Sequence, residues 1–99
     1  MLRYIQTTPT ASDCTAYYAV ELDKEYTVEG FIEAVLKRNL REWGRFAIFN
    51  ENYPFGYPQC EYGGGALKSS FPIDILTKKV VRVTSNGGWS LMDYIICTE

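Results

Sequence analysis

The chain contains no histidine. That removes the commonest general base and metal ligand, and with it the usual switch near neutral pH. Its three cysteines, Cys14, Cys60 and Cys97, are odd in number and far apart. There is no Cys-x-x-Cys pair, and three thiols without histidine fall short of a four-ligand zinc site. The residues imply no metal site and no cofactor. A surplus of either charge is also missing: 10 Lys and Arg against 12 Asp and Glu leave a net charge of −2. Nucleic-acid backbones are gripped by clustered cations that displace counterions, so a general affinity for nucleic acid is not expected. No apolar run approaches the roughly 20 residues of a membrane helix. Residues 1–6 lead into Thr and Pro rather than into a secretory apolar core. The expectation is a cytoplasmic chain with reduced thiols and no membrane contact.

Catalysis has little to work with. Ser, Thr and Cys are present as nucleophiles, but none has a histidine base, and no pair of carboxylates stands out by spacing. Gly63-Gly64-Gly65 lacks the GxxxxGK[ST] pattern and a following helix, so it reads as a bend rather than a phosphate loop. An enzyme is not expected.

What the sequence does have is aromatic side chains: 15% of residues, eight of them Tyr. Tyr joins an apolar body to a polar tip, which suits half-buried sheet faces and binding surfaces alike. Ninety-nine residues at 46% hydrophobic content can fold around one core without disulfides or metal. One domain over residues 1–99 is expected, with residues 1–15 a flexible lead-in in which residues 2–6 could add an edge strand.

Residues 16–22 alternate as a strand, with Tyr18, Val20 and Leu22 on one face and Tyr17, Ala19 and Glu21 on the other. Thr27 is a suitable N-cap for a helix over residues 28–41, whose Val28, Phe31, Ile32, Val35 and Leu36 form one apolar stripe. Trp43-Gly44 reads as the helix exit, followed by a strand over residues 45–49. Tyr53-Pro54-Phe55-Gly56-Tyr57-Pro58 reads as a rigid turn. Ile73-Asp74-Ile75-Leu76 fits a short strand or a helical turn. Residues 79–84 and 89–98 form a hairpin around Asn86-Gly87-Gly88, because Asn-Gly favours a tight hairpin turn.

The fold class expected is α+β: one amphipathic helix packed on a mostly antiparallel sheet of four to six strands, ending in a C-terminal β-hairpin. Phe31, Ile32, Val35 and Leu36 should meet Val20, Leu22, Ile48, Val81, Val83 and Ile95 in the core. With the helix on one face, the other must be polar, aromatic and wet, or covered by a partner. Tyr17, Tyr53, Phe55, Tyr57, Tyr62, Trp89 and Asp93 are the candidate binding residues. Asp93 stands out as a charge within an apolar strand, and a carboxylate there needs hydrogen-bond donors. Lys37, Arg38, Arg41 and Arg45 cluster near the helix C-terminus, where they complement its dipole. The function these features suggest is a small non-catalytic protein-interaction module, accessory or regulatory, working through the aromatic face or the Tyr/Pro segment. Its partner is a protein, with self-association as a homodimer one form of this. Single-stranded nucleic acid or a small ligand on the aromatic face is the alternative, driven by stacking.

Overall fold

A computed structural model describes residues 1–9, 15–38, 42–88 and 91–99, apart from the side chains of residues 57 and 58. The elements run β1 (Arg3–Gln6), β2 (Ala16–Glu21), α1 (Val28–Arg38), β3 (Trp43–Asn50), β4 (Tyr53–Gly63), β5 (Ala66–Leu67), α2 (Ile73–Leu76), β6 (Val80–Gly88) and β7 (Leu91–Thr98). All strands join one sheet in the order β1-β2-β6-β7-β3-β4-β5. The α+β class therefore holds in outline, but among the described residues the sheet has seven strands rather than four to six, and it is mixed. The tight final hairpin, β6–β7, sits in its middle.

The one parallel pair among the described strands, β3 with β7, follows from connectivity. Helix α1 carries the chain from β2 to β3, and the β6–β7 hairpin fills the gap between those two strands. β6 is antiparallel to β2, and β7 is antiparallel to β6. Two reversals return β7 to the direction of β2, so it meets a crossover partner running the same way.

Helix α1 starts where its sequence says it should: the Gly30 N–H donates to Thr27 Oγ1 at 3.2 Å. Val28, Phe31, Ile32 and Val35 are buried, and Leu36 packs at their edge. The expected last turn, residues 39–41, lies outside the described residues, as does Cys14. Residues 73–76 form the helical turn α2, which buries Ile75. Among the described residues no helix is long and apolar enough to cross a membrane.

Several local expectations are corrected. Asn86-Gly87-Gly88 is not the hairpin turn. These residues belong to β6 and pair with Asp93, Met92 and Leu91, which leaves the connection to Trp89 and Ser90, outside the described residues. The Tyr53–Pro58 tract is not a turn either, but the first half of the longest strand. The real β3–β4 turn comes just before it, where Asn50 Oδ1 accepts the N–H groups of Asn52 and Tyr53. Two register shifts in the β3–β4 ladder and a positive φ of 91° at Gly56 let the strand accept two prolines. An edge or bulged strand is where proline is tolerated. Trp43-Gly44 is no helix exit but the start of β3.

The core also differs in β7. Tyr94 and Ile96 are fully buried beneath α1, while Ile95 is half-buried on the opposite face. Val81 is exposed because a register shift between Val80 and Arg82 turns it away from the core. Instead, aromatic rings fill the space. Tyr94 stacks on Phe46 with centroids 5.4 Å apart and meets Phe31 edge-on at 5.8 Å. Tyr62 lies 4.7 Å from Phe46 and donates its hydroxyl to the Met92 carbonyl at 2.7 Å. The Tyr94 and Tyr4 hydroxyls bond each other, so each buried polar tip has a partner.

This layer has a consequence at high pH. Burial pushes the phenols of Tyr94 and Tyr62 well above their ordinary value. A group with a raised folded-state pKa contributes its stability fully below the unfolded value, which is about 10 for Tyr. That contribution is lost as pH rises from there toward the folded pKa. Urea unfolding should therefore give a constant midpoint from neutral pH to pH ~9 and a falling one above pH ~10. A midpoint that stays flat through pH ~11 would mean these hydroxyls are not buried.

Candidate binding face

The residues that alternate away from α1 form the other face of the sheet, which no helix among the described residues covers. Register places them in cross-strand lines. In one line Tyr17 lies beside Asn86, Asn86 beside Asp93, Asp93 beside Arg45, and Arg45 beside Glu61. This is a polar row across five adjacent strands. On one side of it Trp43 pairs with both Gly63 and Leu91. On the other side runs Ile5, Ala19, Thr84, Ile95 and Ala47, and beyond that Phe49, Cys97 and Arg82.

Asp93 is satisfied within the polar row. The Arg45 guanidinium donates from Nη2 to Oδ2 at 3.0 Å and from Nε to Oδ1 at 3.4 Å. The fork-to-fork geometry fixes both side chains, and the hydrogen bond to Asp93 raises the Arg45 pKa further. The donor that the sequence required is an arginine one strand away across the parallel pair. Both groups are part-exposed, so the pair is worth at most about 1 kcal/mol and acts mainly to set geometry.

Arg45 therefore leaves the expected basic cluster. Lys37 and Arg38 stay in the last turn of α1 as expected, with the Arg38 guanidinium 4.0 Å from the Tyr4 ring centroid. Arg41 is outside the described residues.

At the Trp43 end of this face lies a hollow of about 370 Å³, lined by Trp43, Arg45, Lys68, Asn86, Leu91 and Asp93 among others. A Cβ on Gly63 would fall 2.4 Å from the Trp43 ring, so the indole lies directly over that glycine. An aromatic ring covering a cross-strand glycine is a recognised way to shield bare backbone. Trp43 is nonetheless 51% exposed, and Leu91 beside it is 62% exposed. The Lys68 ammonium stands 5.1 Å from the indole centroid, a weak cation–π contact at an exposed site.

At the opposite end, Phe49 lies against Gly56, whose added Cβ would fall 2.9 Å from the ring. Phe55, the residue before Gly56, is 97% exposed.

The sequence-predicted residues are thus dispersed. Tyr17 and Asp93 share the polar row. Tyr53 packs at the core margin, and Phe55 projects from the Phe49 end. Tyr62 must be removed from the set: its ring is 1% exposed on the helix-facing side, because it alternates with Glu61 and Gly63, which face the other way. Trp89 and the Tyr57 side chain lie outside the described residues. Trp43, Leu91 and Arg45 were missed. Their signal was the period-2 pattern Trp43, Arg45, Ala47, Phe49, which continues the strand two residues earlier than the glycine suggested.

Among the described residues no group of three or more Cys, Asp or Glu side chains is placed to hold a metal ion. Comparison with protein-family models, curated proteins and solved structures gave no match.

Proposed function

We propose that the protein is a small non-catalytic interaction module that works through the bare face of its sheet, and that its partner there is a second copy of the chain. The observation that carries this reading is Phe55. A phenylalanine left 97% in water gives up the roughly 1.5–3 kcal/mol that burial of such a side chain yields. Its chain neighbour Gly56 lies against Phe49, which runs beside Cys97 on the bare face with Ile95 one line away, an apolar group of the kind that marks contact surfaces.

Charge supports a self-partner. Arg45 pairs with Asp93 and Arg3 with Glu21 on this face, and Glu61 offsets one of Arg82 and Lys68, so it is close to neutral and two copies meet with little net repulsion. A twofold contact requires such self-complementarity. Strand-to-strand addition along β4 is disfavoured, because Pro54 and Pro58 have no N–H to donate. At the Phe55 end the contact is therefore face to face through side chains. Cys60 and Cys97 are free thiols, which suits a reducing cytoplasmic setting.

Light scattering across a concentration series tests this reading. Wild type should pass from monomer to dimer as concentration rises, and Phe55→Asp should hold the monomer with an unchanged melting temperature, since the side chain makes no core contact. A wild type that stays monomeric at every concentration overturns the proposal.

A further inference from the structure

We infer that the hollow at the Trp43 end of the sheet is a binding site for a neutral polyhydroxylated ring, a pyranose sugar unit. The hollow is separate from the dimer contact, because it and the Phe55 end lie at opposite ends of β3 and β4.

Size comes first. About 370 Å³ is at the small end of the range for ligand sites, so the occupant is one or two rings rather than a larger molecule. Its floor is the half-exposed indole of Trp43, held flat over Gly63 and continued by Leu91. An aromatic platform of this kind accepts the C–H face of a sugar ring or the π-face of a base.

The polar groups then discriminate. Arg45 and Lys68 are matched by Asp93 and Glu61, so the lining carries no net charge. Neither an anion nor a cation gains from the summed field, and a nucleotide's phosphate would find no surplus cation. What remains is a set of planar, fork-shaped groups along one line: the Asn86 amide, the Asp93 carboxylate, the Arg45 guanidinium and the Glu61 carboxylate. Groups of this shape present paired donors and acceptors, which match neighbouring hydroxyls that both give and accept hydrogen bonds. The Arg45–Asp93 pair holds two of them in place before a ligand arrives, so little ordering is needed on binding. Lys68 is the movable part, an exposed side chain over the indole that a ring would displace.

The test is a titration of ¹⁵N-labelled protein with a panel of neutral mono- and disaccharides, alongside a short oligothymidylate. Saturable shifts at the Trp43 indole N–H and at the Asn86, Gly87 and Leu91 amides, with at least one sugar at millimolar concentration, are expected. Trp43→Ala should weaken that binding roughly tenfold or more, as loss of an aromatic stacking partner does. If Trp43→Ala exposes Gly63 and unfolds the chain, Asn86→Ala keeps the indole and the ion pair in place and should also weaken binding. Phe55→Asp should bind sugar as wild type does. Absence of shifts with every sugar overturns the proposal. So does a salt-sensitive response to the oligonucleotide in place of the sugars, which would assign the platform to bases instead.

Discussion

Replacing Gly44 by alanine should destabilise the protein by about 3 kcal/mol, the upper end of what overpacking a tight site costs. In a domain of this size that corresponds to a fall in melting temperature of roughly 12 °C or more. The reason is local and severe. A Cβ on Gly44 would fall 1.8 Å from the Met92 carbonyl oxygen and 2.8 Å from the Tyr62 hydroxyl. The first is backbone of the neighbouring strand, and the second is the donor that satisfies that same carbonyl. Neither can move without opening the parallel β3–β7 pair, the seam where the crossover meets the hairpin. Thermal unfolding followed by circular dichroism measures the effect. A Gly44→Ala variant that melts within a degree or two of wild type would mean the two strands are not this close.

The second large effect is at Tyr94. Truncation to alanine should cost about 3–5 kcal/mol, as for other buried aromatic rings. It removes the ring that touches Phe31, Phe46 and Tyr62, and it leaves the Tyr4 hydroxyl without its partner. Tyr94→Phe keeps the packing and loses one hydrogen bond, so about 1 kcal/mol is expected. Ile95→Ala, one residue on but facing the other way, should cost far less than Tyr94→Ala. Urea unfolding of the three variants reads the register of β7 directly. Ile95→Ala as the most damaging of the three would place the strand one residue out of register, with every side chain on the wrong face.

That register is where the sequence ceased to be legible. Helix α1 could be read in detail, because an N-cap and an apolar stripe at helical spacing admit one interpretation. The alternation of β2 was equally clear. In β7 the run Leu91-Met92-Asp93-Tyr94-Ile95-Ile96-Cys97 is apolar at both parities save one carboxylate, so periodicity could not choose a face. The choice is made by neighbours: Arg45 draws Asp93 to the bare face, while the rings of Phe31, Phe46 and Tyr62 take Tyr94 inside. Those are contacts between strands and a helix far apart in sequence.

Turn chemistry misled for a related reason. Asn86-Gly87 favours a hairpin turn, yet Gly87 is placed by a close approach instead. A Cβ there would fall 2.2 Å from the Leu91 carbonyl. Pro54 and Gly56 likewise mark a bulged edge strand rather than a turn. Proline and glycine signal a local departure from regular backbone, but the tertiary setting decides which departure it is.

Of the candidate surface residues, Tyr17 and Phe55 were legible as aromatics and Asp93 as an odd charge. Trp43 was not, because the glycine after it resembled a helix stop, and its role depends on Gly63, 20 residues later.

The central claim is that the bare face of the sheet, opposite α1, is the surface the protein uses. Solvent paramagnetic relaxation with an inert soluble probe tests it most directly, recorded on dilute and concentrated samples. In dilute solution Trp43, Leu91, Tyr17 and Phe55 should relax strongly, and Tyr62, Tyr94 and Ile96 should be protected. On concentration, protection should appear at Phe49, Phe55 and Ile95, while Glu29, Glu33 and Lys37 on the outer side of α1 stay accessible. New protection confined to α1 would contradict the account, as would strong relaxation of Tyr62 and Tyr94 in the dilute sample.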